Sequence, residues 1–290
     1  MLRREFAAMG TTVEILLQAA QGPASEGALA AVEAEFARLE AVFSRFRPDS
    51  ELSRLNEGGS IRASEDLLAV AEMALAARDR SGGRFDPTVH DAVAAAGYAR
   101  SLRDGPLPAT AGRTPGPCGG RVAVDRVRRR IELGPGVRLD LGGIAKGYAA
   151  DRACDLLVAA GPCLVNAGGD LAVRGVPRAG VWSVGVETPR GPLALGLRRG
   201  ALATSGRDRR RWRLGGRERH HVIDPATGEP AATDLLRATV AAETAAEAEV
   251  LATALLVAGA DRARREAEAL GLTAVLVGED GTTIRTGGAA

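Results

Sequence analysis

Lysine is almost missing from this 290-residue chain: of its 38 basic residues, all but Lys146 are arginine. Arg and Lys differ in shape, hydration and donor geometry, so a single ammonium kept in a Gly-rich turn marks that turn as a candidate site. Cysteine is scarce as well. Cys118, Cys154 and Cys163 are odd in number, with neither paired spacing nor a His-rich neighbourhood, which argues against a disulfide framework or a zinc site and leaves them to core packing. Neither sign of charge dominates: 38 basic and 36 acidic residues give a formal +2 and are mixed along the chain. That excludes the broad cationic face of a nucleic-acid binder. The local basic runs at 126–130 and 207–213 read as solvated surface. The N-terminal segment has no apolar h-region, lipidation cysteine or small-residue cleavage site, so the chain as written reads as cytoplasmic, or as exported if a leader was omitted. The longest apolar stretch, 251–260, is interrupted by Thr253 and Gly259; it falls far short of the roughly 20 residues of a membrane-spanning helix, and no membrane span is expected.

What is present reads as a single domain over 1–290, long enough for a sizeable core and an internal cleft. A strand is expected at 11–17, a helix at 25–42 with Ser25 as its N-cap, and a second helix at 64–80 ended by Ser81-Gly82-Gly83. Residues 104–120 collect Gly, Pro and Thr and form a candidate flexible insertion; a short hairpin over 121–133 follows. A strand at 137–141 leads through Gly142-Gly143 into a helix at 145–160 closed by Gly161. Four strands follow between 163 and 197, then a helix to Ala258 whose Thr244 and Glu247 form a capping box, then a further helix and two strands. The order lacks the regular alternation of a doubly wound fold, so the class is α+β.

Four segments carry candidate chemistry. Asp140-Leu141-Gly142-Gly143-Ile144-Ala145-Lys146-Gly147-Tyr148 sets an acid, two glycines and the lysine at a helix start; close backbone approach and a positive helix end suit an anion, although neither the Walker nor the dinucleotide pattern is matched. Asn166-Ala167-Gly168-Gly169-Asp170 reads as a polar loop, for which a plain turn is the simpler account. Glu249 and Thr253, four apart on one helix face, offer two oxygens to a hard cation such as magnesium; a surface Glu and a Thr bonded to its own helix are the ordinary alternative. His220 and His221 precede Val222-Ile223-Asp224-Pro225, and alternation along a strand would turn only one ring toward a site.

Taken in order, these segments resemble the ApbE-type FAD:protein FMN transferases. The resemblance rests also on Met9-Gly10-Thr11, Phe43-Ser44, Asp49 to Asn56, Phe85-Asp86-Pro87, Thr204-Ser205-Gly206 and Ala248 to Ala254, and spans nearly the whole chain. It implies an ApbE-like, T-fold-related arrangement of mixed sheets packed with helices, with an FAD cleft between them. It implies FAD as substrate, Mg2+ as cofactor, and as partner an acceptor flavoprotein or redox-pump subunit with a Thr or Ser target. By position, Met9, Phe46, Arg84, Phe85, Asp86, Asp140, Lys146 and Ile223 stand where family members contact FAD. Gly143, through its carbonyl, Glu249 and Thr253 stand at metal positions. The family usually has Asp at the place of Glu249, so this carboxylate binds either directly from a receded backbone or through water. Arg84 replaces a residue that is commonly small. His221, Asp140 and Lys146 are the candidate catalytic residues, with His221 or a nearby carboxylate as base. An FAD pyrophosphatase giving FMN and AMP, and a non-catalytic FAD-binding protein, are the alternative readings.

Overall fold

The computed structural model describes residues 1–100 and 116–288. Its centre is an eight-stranded sheet, antiparallel between every pair of neighbours. The spatial order is Leu2–Ala8, Thr11–Leu17, Cys163–Ala167, Asp170–Arg174, Gly200–Gly206, Leu235–Ala242, Thr273–Gly278 and Thr283–Thr286. Central strands are apolar on both sides, and their period of two divides them between two cores. Cys163, Val165, Ala167 and Ala172 join the large core with helices Pro23–Phe43 and Ala145–Leu157. Leu164, Leu171, Val173 and Leu202 turn the other way, against the hairpin Trp182–Val186 and Leu193–Leu197. The helix Ala245–Ala258 packs beside Ala145–Leu157 and over strands Gly200–Gly206 and Leu235–Ala242. This is the α+β class read from the sequence. Among the described residues, no helix is long and apolar enough to cross a membrane.

Most of the elements expected with stated bounds lie within a residue or two, while strands Leu2–Ala8, Gly200–Gly206 and Leu235–Ala242 and helix Glu51–Gly58 went unread. Thr11–Leu17 matches its expectation, Ser64 caps Glu65–Arg80 by accepting from Leu67 N, and Thr244 caps Ala245–Ala258 by accepting from Glu247 N. The hairpin expected over 121–133 is Val122–Asp125 with Arg130–Leu133, and Ser60–Arg62 adds a third strand. Three readings are corrected. Ser25 is not an N-cap: the helix starts at Pro23, and the Ser25 hydroxyl, one turn in, accepts from Gly22 N at 3.1 Å. The helix at 145 ends at Leu157, not at residue 160. Residues 137–141 form no strand, because a side chain takes the neighbour's place: Asn56 donates to the Leu139 carbonyl at 2.8 Å and accepts from Leu139 N at 2.7 Å. Of the expected insertion at 104–120, residues 104–115 lie outside the described residues. Residues 116–120 are tied down, Cys118 N donating to the Pro225 carbonyl and Gly119 N to the Thr88 hydroxyl, both at 2.7 Å.

Candidate active site

The first two strands are joined by the two residues Met9 and Gly10, both at positive φ (49° and 72°). This is the backbone of a type I′ turn, which matches the twist of a hairpin. Holding a methionine there is unfavourable for a residue with a side chain, and the turn projects over a cleft of about 970 Å³.

The floor of this cleft is the start of helix Ala145–Leu157. Asp140 accepts from Gly142 N at 2.7 Å and pairs with Arg45 Nε at 2.8 Å, both side chains being largely buried. The turn this stabilises aims Lys146 inward. Lys146 Nζ donates to the Gly142 carbonyl at 3.0 Å and to Asp170 at 2.9 Å, and it forms a short ion pair with Glu249 Oε1. Glu249 Oε2 accepts from Gly147 N at 2.8 Å. Two carboxylates, a carbonyl and one ammonium therefore meet where two helices cross.

The crossing is close because residue 147 has no side chain. A Cβ there would lie 2.4 Å from the carbonyl carbon and oxygen of Ala245, backbone that cannot rotate away. Gly147→Ala is expected to force the helices apart and destabilise the protein by about 1–3 kcal/mol. It should also weaken the Glu249 contact; urea denaturation checks the first effect and activity at a permissive temperature the second.

Burial works against the Lys146 ammonium, yet Asp170 and Glu249 more than offset it, and its pKa is raised. Burial, then the nearby Asp170 carboxylate, push the Glu249 carboxyl up to about 8 against the pull of Lys146. His221 lines the same cleft with its Nδ1 buried and unpartnered. Burial, then the charges of Arg210 and Lys146, bring it down to about 3, so its ring is neutral at physiological pH.

An aromatic and cationic wall closes one side. Phe46, itself 39% exposed, stands 5.5 Å from Tyr98, which is 5.6 Å from Trp212 (ring centroids). The Arg45 guanidinium lies 4.2 Å from the Phe46 centroid and 4.7 Å from that of Tyr98. Such a wall suits a flat, electron-poor or anionic ligand.

All the candidate residues read from the sequence line this one cleft. Their surroundings differ. Arg84 turns to Glu266 at 2.5 Å, and Asp86 is occupied by the Thr88 amide and hydroxyl at 2.8 and 2.7 Å. Ile223 is buried with Val93 and Ala96, and Gly143 lies under the ring of Phe85, whose Cε2 a Cβ would approach to 3.0 Å. Thr253 Oγ1 is 2.7 Å from Ser205 Oγ. Sequence reasoning did not single out Asp170, Arg45 or Ser205. Asp170 closes the polar loop after Asn166 and is nearly fully buried, a signal visible only once the chain is folded.

Among the described residues no three His, Cys, Asp or Glu side chains gather as a metal cluster. The oxygens of Glu249, Asp170, Thr253 and the Gly142 turn are nonetheless the hard donors a magnesium ion takes, and an ammonium already rests among three of them. The donor set fits that ion.

Fold and cleft together define an α+β protein whose cleft suits a ligand with anionic and flat aromatic parts. The chain belongs to the ApbE family, whose sequence model matches residues 9–276. It is 32% identical over 273 residues to the FAD:protein FMN transferase of Treponema pallidum, covering 80% of this chain and 72% of that one. It is 31% identical to the FAD:protein FMN transferase of Vibrio cholerae, covering 90% and 82%. The crystal structure of the ApbE protein of Thermotoga maritima superposes with a TM-score of 0.86 at 30% identity, covering 98% of this chain and 96% of that chain.

Proposed function

We propose that this chain transfers the FMN half of FAD to a Thr or Ser hydroxyl of an acceptor protein, with AMP as the leaving group and Mg2+ as cofactor. The observation that carries this reading is the meeting, in one cleft of an ApbE-family chain, of the Lys146–Asp170–Glu249 cluster with the Gly142-Gly143 turn. In the reaction the acceptor oxygen bonds to the FMN-side phosphorus, the bond from that phosphorus to the bridging oxygen breaks, and the bridging oxygen leaves on AMP. The hydroxyl proton goes to a base. Neutral His221, with a free Nδ1, is suited to take it. Its basicity would rise once a bound diphosphate offsets the charges of Arg210 and Lys146 that hold it down. Lys146 and the Gly142-Gly143 backbone orient the phosphates, and the Phe46 wall holds a flat ring. Glu249, Thr253 and the Gly143 carbonyl would hold magnesium, which when bound supplies charge neutralisation at the phosphate oxygens. Asp140, fixed to Arg45, shapes the turn.

Incubation with FAD, magnesium and a candidate acceptor should raise the acceptor's mass by one FMN and release AMP in equal amount. AMP release without labelling, at a rate indifferent to the acceptor, would instead make the chain a pyrophosphatase. Thr253→Val, a near isostere lacking the oxygen, should raise the magnesium concentration for half-maximal activity by about 10–100-fold with the circular dichroism unchanged. An unaltered magnesium dependence would remove Thr253 from the metal site.

A further inference from the structure

Six arginines line the cleft: Arg45, Arg47, Arg84, Arg209, Arg210 and Arg237. Five are matched by carboxylates, Arg45 by Asp140, Arg47 by Asp49, Arg84 by Glu266, Arg209 by Glu187 and Arg237 by Asp208. Arg210 alone among them has no ion pair or side-chain hydrogen bond among the described residues. It sits half-buried in the bend between strand Gly200–Gly206 and strand Arg211–Leu214. It lines the same cleft as Lys146 and His221, and its charge is felt at both. A half-buried guanidinium left unmatched, in a protein that matches its neighbours so consistently, is incomplete without an anion. The Lys146 ammonium is already shared by two carboxylates, so the described cleft has little other uncommitted positive charge for a phosphate.

We infer that Arg210 is a catalytic residue that grips the diphosphate of the substrate and stabilises the charge developing on the transferred phosphoryl group. This rests on the transferase reading above and adds to its Lys146 and metal a cation that has no carboxylate partner of its own. A planar fork meets two phosphate oxygens at once, which a lysine ammonium cannot do. Within the run 207–213, Arg207 pairs with Glu279, Arg209 with Glu187 and Arg211 with Glu218, Arg213 is exposed to solvent, and Arg210 lines the cleft.

The test compares the full chain with Arg210→Ala and Arg210→Lys. No partner is lost on folding, so both variants should melt with the parent. With magnesium and an acceptor present, Arg210→Ala should lower the rate of AMP release from FAD on the order of 10²-fold and weaken binding of ADP, used as a plain diphosphate probe. Arg210→Lys should recover part of the affinity but little of the rate. Guanidinium ion at sub-denaturing concentration should restore part of the Ala variant's rate, and sodium at equal ionic strength should not. Parent-like ADP affinity and AMP release in Arg210→Ala would overturn the inference, as would equal rescue by sodium. If the parent itself releases no AMP from FAD with magnesium and an acceptor present, the transferase reading fails, and the ADP titration alone then decides whether Arg210 binds diphosphate.

Discussion

Lys146→Met is expected to destabilise the protein by about 3–5 kcal/mol and to abolish measurable turnover. The side chain is 14% exposed and each carboxylate partner 4%, so the rule for buried rather than surface pairs applies. Methionine fills the space but supplies no charge, leaving Asp170 and Glu249 facing each other with one backbone amide, Gly147 N, on the second. Their response is to hold a proton. Glu249 stands at about 8 with the ammonium beside it, raised first by burial and then by Asp170; without Lys146 it must rise further. A carboxyl whose folded pKa exceeds its unfolded value contributes stability that is present below the unfolded pKa and lost as pH rises through the folded one. The parent should therefore lose stability as pH climbs from about 4.5 to 8 and then level off on this account. The variant should go on losing it above 8, so its deficit widens there. Lys146→Arg should not rescue activity, since the longer planar fork cannot take a point charge's place among three converging oxygens. Urea midpoints across pH for parent, Met and Arg forms check this. A Met variant as stable as the parent at every pH would mean that the two carboxylates do not depend on the lysine.

The residues that escaped a reading from sequence share one physical property: their partners are far away in the chain. Ser64 and Thr244 were legible because a cap bonds within three residues of itself. Residues 137–141 looked like a strand because apolar alternation was all the local sequence offered, and the true partner, Asn56, is 83 residues distant. The site shows the same division. Lys146 stood out as the only lysine, and the Gly142-Gly143 turn beside it is local. That Lys146 is shared by Asp170 and Glu249, and that Arg45 fixes Asp140, are facts of tertiary pairing. The membership of the cleft was legible through family resemblance; the division of labour inside it was not. Arg84 illustrates this, being in the cleft but bonded to Glu266, 182 residues away.

Above about pH 8, where the Glu249 carboxyl is ionised, Glu249→Gln should lower activity on the order of 10³-fold. Both carboxylate oxygens accept from N–H donors, Oε1 from Lys146 and Oε2 from Gly147. An amide has one acceptor oxygen, so its NH2 must face one of these donors and leave it unsatisfied, at a cost of about 1–3 kcal/mol. The charge that would hold a divalent cation goes with it. Glu249→Asp keeps the charge and shortens the reach, and it separates the two alternatives raised by the family's usual Asp. Glu249 is fixed at both oxygens by Lys146 and by the backbone at Gly147, where Cβ-free packing already brings the helices to their closest approach. The backbones cannot move closer to compensate for a lost methylene, so Asp should lose at least one of the two contacts and fall short of the donor set. Its activity should lie between those of the parent and the Gln variant, with a raised magnesium requirement. Measuring AMP release against magnesium for the three forms, with calorimetric magnesium binding as a readout independent of turnover, tests the order parent, Asp, Gln. An Asp variant as active as the parent would show that this carboxylate acts through water; a Gln variant indistinguishable from the parent in both measurements would remove Glu249 from the site.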